Sequence, residues 1–148
     1  MTPAAPERAA EDAAARGLAV AFVPRDPETG VPLARGPLGV KTVVLRHREG
    51  YVFVLVPYED RFSWPKLRAV LGVNKVKLPT AEEAFAATGY RRGTITPLGA
   101  AQAFPVLADA RLRGREILVG SGSPDFAARV DADALIRAYG ADVVDLEP

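Results

Sequence analysis

The chain holds a single histidine and no cysteine, so the residues able to do chemistry are few. Without cysteine there is no disulfide, no thiolate metal site and no thiol nucleophile. His47 stands at the end of a β-rich run without a companion ligand, which suits a structural or surface place better than general-base work. The sequence contains no G-x-S-x-G elbow, no P-loop and no dinucleotide fingerprint. Gly120-Ser121-Gly122-Ser123 has the composition of a phosphate loop but lacks its lysine and the helix start behind it, and reads first as a tight turn. Two features remain. In Val40-Lys41-Thr42-Val43-Val44, strand alternation puts Lys41 on the face of Val43 and Leu45, with Val40, Thr42 and Val44 opposite. An ammonium so placed either snorkels to solvent or meets an anion at the end of a cleft. The other feature is Gly89-Tyr90-Arg91-Arg92-Gly93-Thr94-Ile95-Thr96-Pro97-Leu98-Gly99. Its glycines and proline permit a turn whose N–H groups converge on one concavity and hold a carbonyl or its developing oxyanion, although an ordinary surface turn has the same composition.

The elements that must position these residues follow from periodicity and punctuation. An alanine-rich helix is expected over 7–16, stopped by Gly17, and then a strand over 18–23. Residues 24–39 are crowded with proline and glycine and read as a long loop, of the kind that lines sites. The runs 40–47 and 51–58 form a hairpin, apolar on both faces, which calls for a curved, partly barrel-like sheet. Ser63 caps a short helix with Pro65 in its first turn and Gly72 at its end. Residues 75–78 read as a strand, and Thr80 to Glu83 as a capping box opening a helix that ends near Gly89. Strands over 104–107, 116–119 and 126–130 follow, the last two joined by the 120–124 turn. A helix over 131–139 and a strand over 143–146 complete the chain. The expected fold class is mixed α/β: one domain with a strongly curved sheet flanked by short helices, lacking the regular spacing of a doubly wound fold.

The 148 residues, 49% hydrophobic and 25% charged, suffice for one core. The start carries Glu7, Arg8, Glu11 and Asp12 where a secretory signal needs an apolar stretch, and the longest apolar run is far short of a membrane span, so a cytoplasmic location is expected. A net charge of +1 argues against a protein that coats nucleic acid by bulk electrostatics. Local recognition stays open through short basic groups at Lys66 and Arg68, Lys75 and Lys77, Arg91 and Arg92, and Arg111, Arg113 and Arg115. A solvated mixed-charge surface is the plainer reading of the same pattern.

Taken in order, these pieces resemble the YbaK/ProX group of tRNA-editing proteins, which is similar to the editing domain inserted in bacterial prolyl-tRNA synthetase. The resemblance rests on Val40 to Val44, on Gly89-Tyr90 followed by the GxxxP element from Gly93 to Pro97 and then Gly99, on Lys75-Val76-Lys77-Leu78 ahead of Glu82-Glu83, and on the strands around Gly120 and Gly122. It covers nearly the whole chain from Leu18 onward, leaving 1–17 as an added N-terminal helix. It implies an aminoacyl-tRNA deacylase acting on a misacylated tRNA, typically prolyl-tRNA carrying a small wrong amino acid. The catalytic set it implies is Lys41, Gly93, Thr94, Ile95, Thr96 and Pro97, with Lys41 anchoring the terminal adenosine phosphate and the loop backbone holding the aminoacyl group. Phe22, Phe53, Tyr90, Gly99, Gly120, Ser121 and Gly122 are expected to bind substrate. No metal and no cofactor are expected; the partners implied are the tRNA acceptor end and, secondarily, an aminoacyl-tRNA synthetase. Ser121 and Ser123 give the late turn more hydroxyls than the family pattern, which bears on amino-acid specificity. A non-catalytic module that binds tRNA or aminoacyl-adenosine beside a synthetase is the competing reading, and an enzyme acting on a small ester or nucleotide is a third.

Overall fold

A computed structural model describes residues 4–48 and 50–148. Its centre is the hairpin of β2 (Leu38–His47) and β3 (Gly50–Pro57), paired antiparallel from Val40↔Pro57 to His47↔Gly50. β3 is buried on both faces: Phe53 and Leu55 point into one apolar cluster, while Val52, Val54 and Val56 point into another. That two-sidedness is why both runs are apolar throughout, since each buried aliphatic or aromatic side chain contributes roughly 1.5–3 kcal/mol.

The other strands extend the hairpin in two directions. On one side lie β4 (Val106–Asp109), parallel to β3, and β7 (Asp142–Val144), parallel to β4. On the other lie β5 (Glu116–Gly120), β6 (Phe126–Asp131) and β1 (Ala21–Pro24), giving the order β1-β6-β5-β2-β3-β4-β7. The result is a mixed, curved seven-stranded sheet with free edges at β1 and β7, in a single α/β domain. The expected curvature is present without closure into a barrel.

Four helices decorate the sheet among the described residues: α1 (Ala4–Ala15), α2 (Trp64–Leu71), α3 (Ala81–Thr88) and α4 (Ala132–Tyr139). Their ends obey local chemistry. Ser63 accepts from the Lys66 N–H, Thr80 and Glu83 form the reciprocal capping box, and Asp131 accepts from the Ala134 N–H. α1 and α4 pack on the first cluster through Ala9, Ala13, Ala132 and Leu135, and α2 packs on the second through Leu67.

Three expected strands shift or fail. Residues 75–78 form no strand; only Lys77 bridges Arg46, and Pro79 follows at once. The strand expected over 18–23 begins at Ala21, because the Leu18 N–H turns back to the Ala13 carbonyl at 2.8 Å to end the helix. β4 begins at Val106 because Pro105 has no N–H to give; its carbonyl accepts from Phe53 instead, at 2.9 Å. No helix among the described residues is long and apolar enough to cross a membrane.

Candidate functional site

The site arises where the sheet splits. β2 pairs parallel with β5 only at Leu38↔Ile117 and Gly39↔Leu118. From Val40 to Leu45 that edge of β2 has no strand beside it, and the Arg46–Lys77 bridge marks its far end. Into the gap opens a cleft of about 1110 Å³. Residues 40–44, Leu118 and Gly120 of the sheet, Gly93, Thr94 and Ile95 of the glycine-rich loop, Ala81 and Ala84 of α3, and much of the 29–37 loop line it. The long proline- and glycine-rich loop is thus one wall.

Lys41 reaches this cleft half-buried, and among the described residues it has no hydrogen-bond or ion-pair partner. Its neighbours keep the alternation: Val40 and Val44 belong to the first cluster, Val43 and Leu45 to the second. Thr42 shares the face of Val40 and Val44, toward the cluster that also takes in Ile95. Its hydroxyl is the buried side-chain polar atom left without a hydrogen bond among the described residues. Arg92 and Arg115, both exposed, also line the cleft without an ion pair, whereas Arg25 is held by the carbonyls of Phe126 and Gly30. Burial lowers the pKa of Arg25, partly offset by Tyr58. Glu59 and Asp60 are the acidic lining residues.

The 93–97 loop is fixed from behind. The Gly122 N–H donates to the Thr94 carbonyl at 2.9 Å, and the Ile95 carbonyl lies 2.5 Å from where a Cβ on Gly120 would stand. Gly120 is therefore glycine because a loop carbonyl occupies its side-chain space. Thr94 donates its hydroxyl to the Arg91 carbonyl at 2.7 Å and its N–H to the same oxygen at 3.0 Å. Thr96, fully buried, accepts the Leu98 N–H at 3.2 Å. Both hydroxyls hold the turn. Among the described residues the N–H groups of Gly93 and Ile95, both in the cleft lining, have no partner, which leaves them as the loop's donors for a ligand oxygen.

The residues expected from sequence therefore divide. Lys41, Gly93, Thr94, Ile95 and Gly120 meet at the cleft. Thr96 and Pro97 lie beneath the loop, Pro97 against a small second cavity with Phe53. Phe53 is 1% exposed and packs on Phe104 in the core, and Phe22 packs partly buried against the same cluster. Neither lines the cleft, whose aromatic lining residue is Tyr58. Tyr90 is buried under the loop, its hydroxyl donating to the Leu98 carbonyl at 2.6 Å, and burial pushes its pKa up to about 12. Its ring fills the space beside Gly122, while Gly99 faces α1 and Ser121 donates to the Phe126 carbonyl. These residues shape the loop from outside the cleft. Leu118 and Ala84 line it without a local sequence signal, because only the tertiary fold exposes them to it. No group of three or more His, Asp or Glu placed to hold a metal occurs among the described residues.

The family model of the aminoacyl-tRNA editing domain matches residues 27–138, most of the chain and all of the cleft-lining loop. The chain belongs to the aminoacyl-tRNA editing domain family. Among curated relatives, the editing domain is 36% identical over 61 residues to a proline–tRNA ligase of Thermosipho africanus, covering 41% of this chain and 11% of the ligase. A proline–tRNA ligase of Lactobacillus gasseri is 29% identical over 104 residues, covering 68% of this chain and 18% of the ligase. The chain thus spans less than a fifth of the length of either relative. A solved structure described as that of a candidate trans-editing enzyme for prolyl tRNA synthetase superposes with a TM-score of 0.86 at 23% identity, covering 100% of this chain and 99% of that one. At that identity the likeness establishes the fold.

Proposed function

We propose that this editing domain is a cytoplasmic, RNA-binding hydrolase that cleaves the ester of a misacylated tRNA, with prolyl-tRNA carrying a small wrong amino acid as its substrate. The observation that carries the reading is Lys41, an ammonium without a partner among the described residues on the free edge of β2, in the same cleft as the backbone of residues 93–95. A buried or half-buried cation without an anion is costly and is kept where a ligand brings the anion. Lys41 takes a phosphate of the terminal adenosine, and Arg92 and Arg115 meet the strand leading to it.

Water attacks the ester carbonyl carbon, a tetrahedral oxyanion forms, and collapse releases the amino acid and the ribose oxygen of the tRNA. The unpaired N–H groups of Gly93 and Ile95 are the donors for that oxyanion or for the carbonyl before it. With the hydroxyls of Thr94 and Thr96 spent on the turn, neither is poised as a nucleophile. His47 is not among the cleft-lining residues. A free ribose hydroxyl of the adenosine therefore orients the water, and the protein contributes position and electrostatics. The cleft has room for an aminoacyl-adenosine, and a larger cognate side chain is turned away by size; one methylene is worth about 1–3 kcal/mol of such discrimination. Residues 18–148 form the catalytic unit in this reading.

The test is a deacylation panel in which alanine, cysteine, serine and threonine are each esterified to several tRNAs and released amino acid is measured. Multiple turnover on a mischarged prolyl-tRNA supports the reading. Tight retention of the charged tRNA without release identifies a binding module instead.

A further inference from the structure

We propose that α1, which precedes the matched family region, is a positioning element for the site: Arg8 and Asp12 hold both ends of the 89–99 segment and so set the geometry of its cleft-facing backbone. This rests on the reading of that loop as the seat of the aminoacyl group.

The contacts converge from one helical face. Arg8 and Asp12 are four residues apart and project together, beside Ala9 and Ala13, whose small side chains let the helix sit directly on the core, 0% and 1% exposed. One guanidinium of Arg8 donates to the Gly99 carbonyl at 2.8 Å and to the Gly89 carbonyl at 3.5 Å, and stands 4.8 Å over the Tyr90 ring. Asp12 accepts the Gly99 N–H at 3.0 Å and the Tyr139 hydroxyl at 2.6 Å. A Cβ on Gly99 would lie 2.6 Å from the Arg8 backbone, so helix and loop touch main chain to main chain. Burial alone would raise the pKa of Asp12, but the bonds from Tyr139, Gly99 and Arg16 outweigh it and hold the carboxyl below its usual value. Burial and the Asp12 partner together raise the Tyr139 pKa. A charged carboxylate facing a neutral phenol is thus the resting state of the brace near neutral pH.

The segment is otherwise irregular, with positive φ at Gly89, Gly93 and Gly99. Ends held by one side chain remove much of its freedom, and misplacement by about 1 Å can cost on the order of 10²-fold in rate.

Full-length Arg8→Ala, Arg8→Lys, Asp12→Ala and the control Glu11→Ala, on the exposed face of α1, are compared by steady-state deacylation and by amide hydrogen exchange at a temperature where all remain folded. The expected result is a kcat lowered about tenfold or more in Arg8→Ala and Asp12→Ala with KM changed less than threefold. Arg8→Lys should recover only part, because an ammonium cannot span both carbonyls. Exchange should accelerate in residues 90–99 and stay unchanged in β2 and β3. Wild-type kcat in both alanine variants, or faster exchange spread evenly over the domain, overturns the proposal. Should the wild-type protein release no amino acid, the functional reading fails, and the exchange pattern still decides whether α1 braces the loop.

Discussion

Two regions of the molecule treat charge in opposite ways. Away from the cleft, Lys66 at the start of α2 meets Asp145 at 2.9 Å, and Arg111 meets the buried Asp109 at 2.8 Å. The Asp109 bonds hold the Arg111 guanidinium above its usual pKa. Around the cleft, among the described residues, Lys41, Arg92 and Arg115 have no ion pair, Thr42 Oγ1 has no hydrogen bond, and the N–H groups of Gly93 and Ile95 are unused. Where charge serves the fold it is matched within the chain. Where it is left open, stability is forgone in favour of a ligand that completes the set.

The hardest way to break the cleft side is to move the loop itself. Gly120→Ala would drive a Cβ onto the Ile95 carbonyl and a second loop carbonyl at 3.1 Å, and backbone cannot yield as a flexible side chain does. We expect a loss in kcat on the order of 10²-fold, with the overall fold retained by circular dichroism. Gly93→Ala acts more locally: nothing crowds its Cβ, but φ is +89°, so the strain of about 1–3 kcal/mol falls on the turn that presents the donors. It should reduce deacylation more than Thr94→Ala or Thr96→Ala, whose hydroxyls only brace the turn. A near-dead Thr94→Ala beside an active Gly93→Ala would point to hydroxyl chemistry.

Two smaller changes sharpen the contrast. Thr42→Val removes an unsatisfied hydroxyl while keeping the shape, and should raise unfolding free energy by about 1 kcal/mol in a urea titration while weakening substrate binding. Away from the cleft, Lys66→Ala breaks an ion pair whose Asp145 is 67% exposed, and should cost less than about 1 kcal/mol with deacylation unchanged. An activity loss in Lys66→Ala comparable to that of a cleft variant would erase the distinction between the two regions.

Much of this was legible because the information is local. Thr80 and Glu83 specify their capping box within one turn, the 93–97 glycine and proline spacing specifies a turn, and alternation in β2 separates Lys41 from Thr42. The aromatic positions were not legible in the same way. Phe53 is an apolar residue in an apolar strand, and only the packing of Phe104 and the first cluster against its ring makes it core rather than cleft lining. The family resemblance names Tyr90 and Gly122 as substrate contacts, and nothing local in the sequence announces that the ring and the glycine pack on each other. The brace from α1 joins residues 87 and 91 positions apart, with no periodic signal to announce it.

The central claim is that Lys41 is left unpaired in order to hold the RNA end. Its most direct test is Lys41→Ala measured for deacylation of a mischarged prolyl-tRNA, with melting temperature and circular dichroism recorded on the same sample. Loss of a charge that pairs with phosphate in a cleft costs about 2–5 kcal/mol. We therefore expect a fall in kcat/KM of about 30-fold or more in a protein that melts as the wild type does. Deacylation by Lys41→Ala at the wild-type rate, with the fold intact, would contradict it.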